Sequence, residues 1–196
     1  MARDLGPQAA EVHKEAIWEQ ADAVLAFWLA DTPPDKRFAR DDALDAEIAG
    51  RFGALIDAVA ACHGAGWRAH PRTLLAAVIL LDQFSRNIRR GRADAFANDP
   101  LARALTGEAI AKGWDKAMSD DERHFLYMPL MHCERLDDQL RGLPLFDRLG
   151  DNTADFARRH CAQIARFGRF PGRNAALGRT STPEEVELLR QPGAGF

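Results

Sequence analysis

The run Leu74–Leu81, LLAAVILL, constrains this chain more than any other stretch. Eight consecutive apolar residues fall well short of the roughly 20 needed to cross a bilayer, and such a block predicts a buried helix. It runs directly into Asp82, Gln83, Arg86 and Asn87. Helical spacing from Leu75 through Val78 and Ile79 lands on Asp82 and then Arg86, so the polar residues leave the core along the core's own face. There they are expected to be half-buried and paired. Asp82–Arg86 and Gln83–Asn87 are both spaced i,i+4, with the acid N-terminal to the base. The group reads either as a polar collar that fixes how the helix docks or as one wall of a site.

The rest of the chain reads as helices separated by punctuation. A first helix is expected over about 9–29, with Val12, Ala16, Val24, Phe27 and Trp28 inward, stopped by Pro33-Pro34. A second is expected from Asp42 to Cys62 with Leu44, Ile48, Phe52, Ile56 and Val59 inward, closed by His63-Gly64-Ala65-Gly66. Pro71 suits the first turn of the central helix, which ends before Gly91. Asp99-Pro100 predicts an N-cap aspartate and a helix to about Ala111. Ser119 and Glu122 have capping-box spacing, as do Thr182 and Glu185. Pro129 should kink or break the helix that Ser119 opens, and Gly142-Leu143-Pro144 should interrupt the next one. Thr153–Phe167 is amphipathic, with Phe156, His160, Ile164 and Phe167 on one stripe. Phe170-Pro171-Gly172-Arg173 fits a type II turn that would bring Phe170 and Arg173 together. No segment alternates as a strand would, so the chain is expected to be all-α, with about eight helices in a single domain over 1–196.

Charge and cysteine usage narrow the function classes. With 46% hydrophobic and 28% charged residues and a net charge of -3, the chain has the balance of a soluble globule with no gross attraction to nucleic acid. Six arginines and no acid or lysine lie between Asp155 and Glu184, which makes that segment locally basic. Cys62, Cys133 and Cys161 form no CxxC pair and argue against a disulfide framework. The opening residues Met1–Pro7 carry no apolar h-region, and the expected setting is cytoplasmic, without a membrane anchor.

Five blocks in order, LLDQFSRN (80–87), RGRADAFANDP (90–100), FLYMPLMHCE (125–134), RFGRFPGRN (166–174) and LGRTSTPEE (177–185), resemble the bacterial family called domain of unknown function 924. The resemblance covers about 23–196. It implies a fold similar to the right-handed tetratricopeptide superhelix, built from stacked antiparallel helical hairpins, although no 34-residue period is visible here. It implies no activity. Against the family's usual LDQFPRN, EHSE and FGRFPHRN, this chain has Ser85, then Met131 and Cys133 around its histidine, and Gly172.

The polar constellation available for chemistry comprises Asp82, Gln83, Arg86 and Asn87 with His124, His132, Glu134, Gln139, His160, Arg169, Arg173 and Asn174. Arg86, Arg169 and Arg173 offer forks for phosphate or carboxylate, and Asn87 and Asn174 add polar contacts. Anion recognition is therefore the leading expectation, with Asp82, Gln83, Arg86, Asn87, Arg169, Arg173 and Asn174 as ligand-binding residues. The same arginines could instead pair internally with Asp82, Glu134 or Asp138. His132, Glu134 and His160 are the weak catalytic candidates. No HExxH, ExxH or CxxC signals a metal, and no cofactor is expected. Cys133 and Cys161 lack an oxyanion-hole motif nearby. The expected function is a ligand- or peptide-binding module for a small anion or acidic peptide. The alternative is an enzyme acting on a small anionic substrate with Glu134 or His132 as general base.

Overall fold

The computed structural model describes the backbone of residues 7–196 and the side chains of 14–196; Met1–Gly6 and the side chain of Val12 lie outside what is described. Among the described residues there is no strand. Where segments continue without a break they are taken as one helix, which gives eight. Helix α1 spans Pro7–Leu25 and ends in a wide π turn, Ala26–Asp31; α2 spans Asp42–Ala61. The central α3 joins Pro71–Ile79, a π turn Leu80–Phe84 and a last α turn Ser85–Ile88. Then follow α4 (Asp99–Ala111), α5 (Asp120–Met131), α6 (Leu136–Phe146), α7 (Asp151–Phe167) and α8 (Pro183–Leu189). None of these helices is long and apolar enough to cross a membrane.

Helix α3 is the axis of the packing. Leu74 through Leu81 and Phe84 are wholly buried, and α1, α2, α4 and α5 all pack on this one helix. An apolar run with no polar face can be satisfied only by neighbours on every side. Trp28 meets Phe84 edge-on at 5.1 Å and Phe125 at 5.8 Å, linking α1, α3 and α5. From α4 to α7 each helix packs on the next, an order consistent with stacked hairpins.

Several ends form as their residues dictate. Pro71 opens α3, and Ser119–Glu122 and Thr182–Glu185 both form reciprocal capping boxes. The α2 end is a Schellman turn in which His63, not a glycine, takes the left-handed conformation (φ 52°) and the Gly64 N–H reaches Val59 O at 2.9 Å. At neither internal proline does the helix break. Pro129 lies inside α5, which runs on to Met131, and Pro144 lies inside α6, which runs through Gly142 to Phe146. Each sits in the last turn, so the one i→i−4 bond it removes, to the carbonyl of Phe125 or Leu140, is lost near the helix end. Two further corrections concern faces and turns. Phe156 is half-exposed rather than part of the α7 core stripe. Residues 171–173 form a 3-10 turn, with Gly172 outside the left-handed region that a type II turn requires.

Candidate functional site

The π turn in α3 sets the site. The Ser85 N–H reaches back five residues to Leu80 O, which inserts one extra residue into the turn and presents Asp82 and Gln83 from a widened, fully buried loop of helix. Asp82 is therefore wholly buried, deeper than its spacing implied. Its carboxylate accepts from His132 Nδ1 (2.8 and 3.0 Å), Gln83 Nε2 (2.5 Å) and Arg86 Nη1 (2.9 Å). Burial alone would raise its pKa, but Arg86 and His132 outweigh that and hold the carboxyl well below the usual range. The Asp82–Arg86 pair thus forms as spaced. Gln83–Asn87 does not: Asn87 turns away to Asp45 of α2 at 2.7 Å.

The second carboxylate was misassigned by its pattern. Asn98, not Asp99, occupies the cap position of α4, and its amide goes to Ser85 Oγ at 3.2 Å. This frees Asp99 at the first helical position to take Arg86 Nη2 at 2.8 Å and Arg173 Nη1 at 3.3 Å on one oxygen. Its other oxygen, Oδ1, is buried without a partner. Burial pushes the Asp99 carboxyl up, against the pull of Arg86. Sequence pattern could have found Asp99 only by placing the cap one residue earlier.

Arg173 is brought beside Phe170, as the turn residues promised, with its guanidinium 4.4 Å from that ring's centre and 4.6 Å from that of Phe96. It is buried, and its Nε has no partner. Burial, with Arg86 close by, lowers its pKa to about 10. His160 is buried on α7 and donates from Nδ1 to Phe156 O at 2.8 Å. Its ring lies 6.1 Å from that of His132 and is stacked at 3.7 Å on Phe196, a residue no sequence signal singled out. Burial lowers both histidines, His160 to about 3, and for His132 it prevails over the opposing pull of Asp82.

The remaining candidates lie elsewhere or are fully engaged. Glu134 accepts from both Arg179 terminal nitrogens (2.7 and 2.9 Å) and from the Phe170 N–H at 2.8 Å, which ties the loop before residue 171 to the α5–α6 link. Arg169 grips Glu185 through two bonds of 2.7 and 2.8 Å. Asn174 donates to Ser181 Oγ and to Glu185, at 3.0 and 3.1 Å. Arg169 and Asn174 thus brace the C-terminal loop onto α8, while Glu134 braces it onto the α5–α6 link. Cys133 sits against Asp138, and burial raises its thiol, which opposes thiolate formation. Among the described residues no group of three His, Cys, Asp or Glu could hold a metal ion.

A model of the family described as bacterial protein of unknown function (DUF924) matches residues 24–193. The chain belongs to this family. A solved structure, that of a protein of unknown function from Agrobacterium tumefaciens, is similar with a TM-score of 0.83 and 41% identity. The likeness covers 87% of this chain and 97% of that one. No curated protein matches. In this DUF924 member the departures noted above acquire physical settings. Ser85 donates to Leu80 O at 3.3 Å within the π turn, a wide geometry in which a proline ring would escape the usual clash with the carbonyl four residues back. Gly172 faces the backbone of Phe196, where any Cβ would come within 2.9 Å of its carbonyl oxygen.

Proposed function

We propose that this DUF924 protein binds a small anionic molecule, a carboxylate or phosphate, at Asp82, Arg86, Asp99, His132, His160 and Arg173, and that His132 acts there as an acid–base group. The Asp82–His132 contact carries the reading. A carboxylate held ionised can only accept, so the shared proton belongs to His132 Nδ1 and the lone pair to Nε2. His160 is fixed in the same sense by the Phe156 carbonyl. Two imidazoles with Nε2 lone pairs, their rings 6.1 Å apart, then share the electrostatic influence of one cation, Arg173, whose Nε–H is unspent. That combination suits proton transfer on a substrate whose charge the arginine holds.

An extended peptide fits less well. A groove of about 380 Å³ runs past Asp31, Lys36, Glu47 and Arg51, and one of about 240 Å³ past Arg159, Phe167 and Leu188; neither is lined by Asp82, His132 or Arg173. Free Cys62, Cys133 and Cys161 support a reducing, cytoplasmic setting. Titration of ¹⁵N-histidine-labelled protein with inorganic phosphate, followed by NMR, tests the proposal. His132 and His160 Nε2 should shift saturably in the unmodified protein and stay still in Arg173→Met. Shifts confined to surface histidines such as His63 would refute it.

A further inference from the structure

The segment after α8 lies against His160 of the site just described. Gly193 turns the chain with φ 71°, and the strap 192–196 is then held by Arg159, which donates to Gly193 O at 2.6 Å, and by Gln163, which donates to Ala194 O at 2.8 Å. The Phe196 ring covers the imidazole of His160 at 3.7 Å and 26°, with the Arg159 guanidinium 5.5 Å from the ring's centre. Phe196 thus covers one face of the His160 imidazole, whose ring lies 6.1 Å from that of His132.

The floor under the strap is Gly172. A Cβ there would lie 2.9 Å from Phe196 O and 3.1 Å from Phe196 N, closer than backbone atoms tolerate. Gly172 has no left-handed φ that would demand glycine, so its missing side chain is needed only for the strap's approach. We propose that residues 192–196 form an autoinhibitory strap that shuts the His132–His160–Arg173 site and lifts to admit its ligand, Gly172 being the feature that lets it close. This rests on the anion-site reading for the ligand's identity, though not for the gating itself. The strap is held by the Phe196 ring against His160, Phe170 and Arg159, by buried Ala194 and by two side-chain donors, with no helix or sheet bonding of its own, so it can open without global unfolding.

Acylation of histidine by diethyl pyrocarbonate, resolved by mass spectrometry residue by residue, tests the gate without any ligand. In the unmodified protein His160 should react far more slowly than exposed His63. Gly172→Ala, which leaves every site side chain in place, should speed His160 acylation about tenfold or more with the helical content unchanged. Phe196→Ala should do the same, and serves if the alanine variant fails to fold. Equal His160 rates in the unmodified protein and a folded variant, or a His160 as reactive as His63 from the start, would overturn the strap. Inorganic phosphate added to the same samples separates the two ideas. Faster acylation with no phosphate binding keeps the gate and removes the anion site, whereas phosphate binding with equal rates does the reverse.

Discussion

Arg169 and Arg173 stand on one loop and were indistinguishable as sequence, yet the fold treats them oppositely. Arg169 meets both oxygens of Glu185, and that hydrogen bonding raises its pKa. Arg173 reaches only a 3.3 Å contact to an Asp99 oxygen that Arg86 already holds at 2.8 Å, and its Nε is left unpaired. Burial lowers its pKa to about 10, so the folded chain holds the charged form less well than the unfolded chain does. One arginine braces the fold; the other is kept charged against it. Residues retained at the expense of stability are where function is to be sought.

The largest break in this contrast comes from Asp82→Ala. It leaves buried Arg86 with Asp99 alone and takes the acceptor from His132 Nδ1 and Gln83 Nε2, and should cost about 3–5 kcal/mol in urea unfolding, as loss of one member of a buried charge network does. Glu185→Ala attacks the brace instead. It releases Arg169, Asn174 and the Thr182 N–H together, and should cost about 2 kcal/mol while leaving phosphate binding intact once the protein is folded.

Acid separates the two regions further. His160 falls from 6.5 to about 3 on folding, so its contribution is complete above pH 6.5 and is lost as the pH drops below that. Glu185 falls from 4.5 to about 2, chiefly through Arg169, so the brace is lost only below pH 4.5. Stability should therefore begin to fall between pH 6.5 and 5, at up to about 1.4 kcal/mol per pH unit for each proton taken up. His160→Asn should lessen the fall in that first window, to which His132 and His124, also lowered by burial, still contribute, and leave the second. The smallest effect belongs to Asn87→Ala, about 1 kcal/mol for its single bond to Asp45, with no change in phosphate binding.

These two regions also show what was legible beforehand. Helix count, the buried run of α3, both capping boxes and the Asp82–Arg86 pair follow from local spacing and cap chemistry, which act within a few residues. The site's other half does not. Asp99 carries the signature of a cap, and only the docking of Asn98 on Ser85 shifts the helix start by one and frees it. The π turn leaves no periodic trace because the residues around it are buried on every side. Asn174 and Arg169 read as ligand groups until Glu185, remote in sequence, is placed against them. Phe196 has no signal at all, since its role depends on the absence of a side chain at Gly172.

Urea unfolding of Arg173→Met beside Arg169→Met is the most direct test. Methionine keeps the stem of each side chain and removes only the charge and its donors. The account predicts a clear loss for Arg169→Met and unchanged or increased stability for Arg173→Met, accompanied by loss of phosphate binding only in the latter. A loss in Arg173→Met equal to that in Arg169→Met would make both arginines braces, and the site would be a structural network.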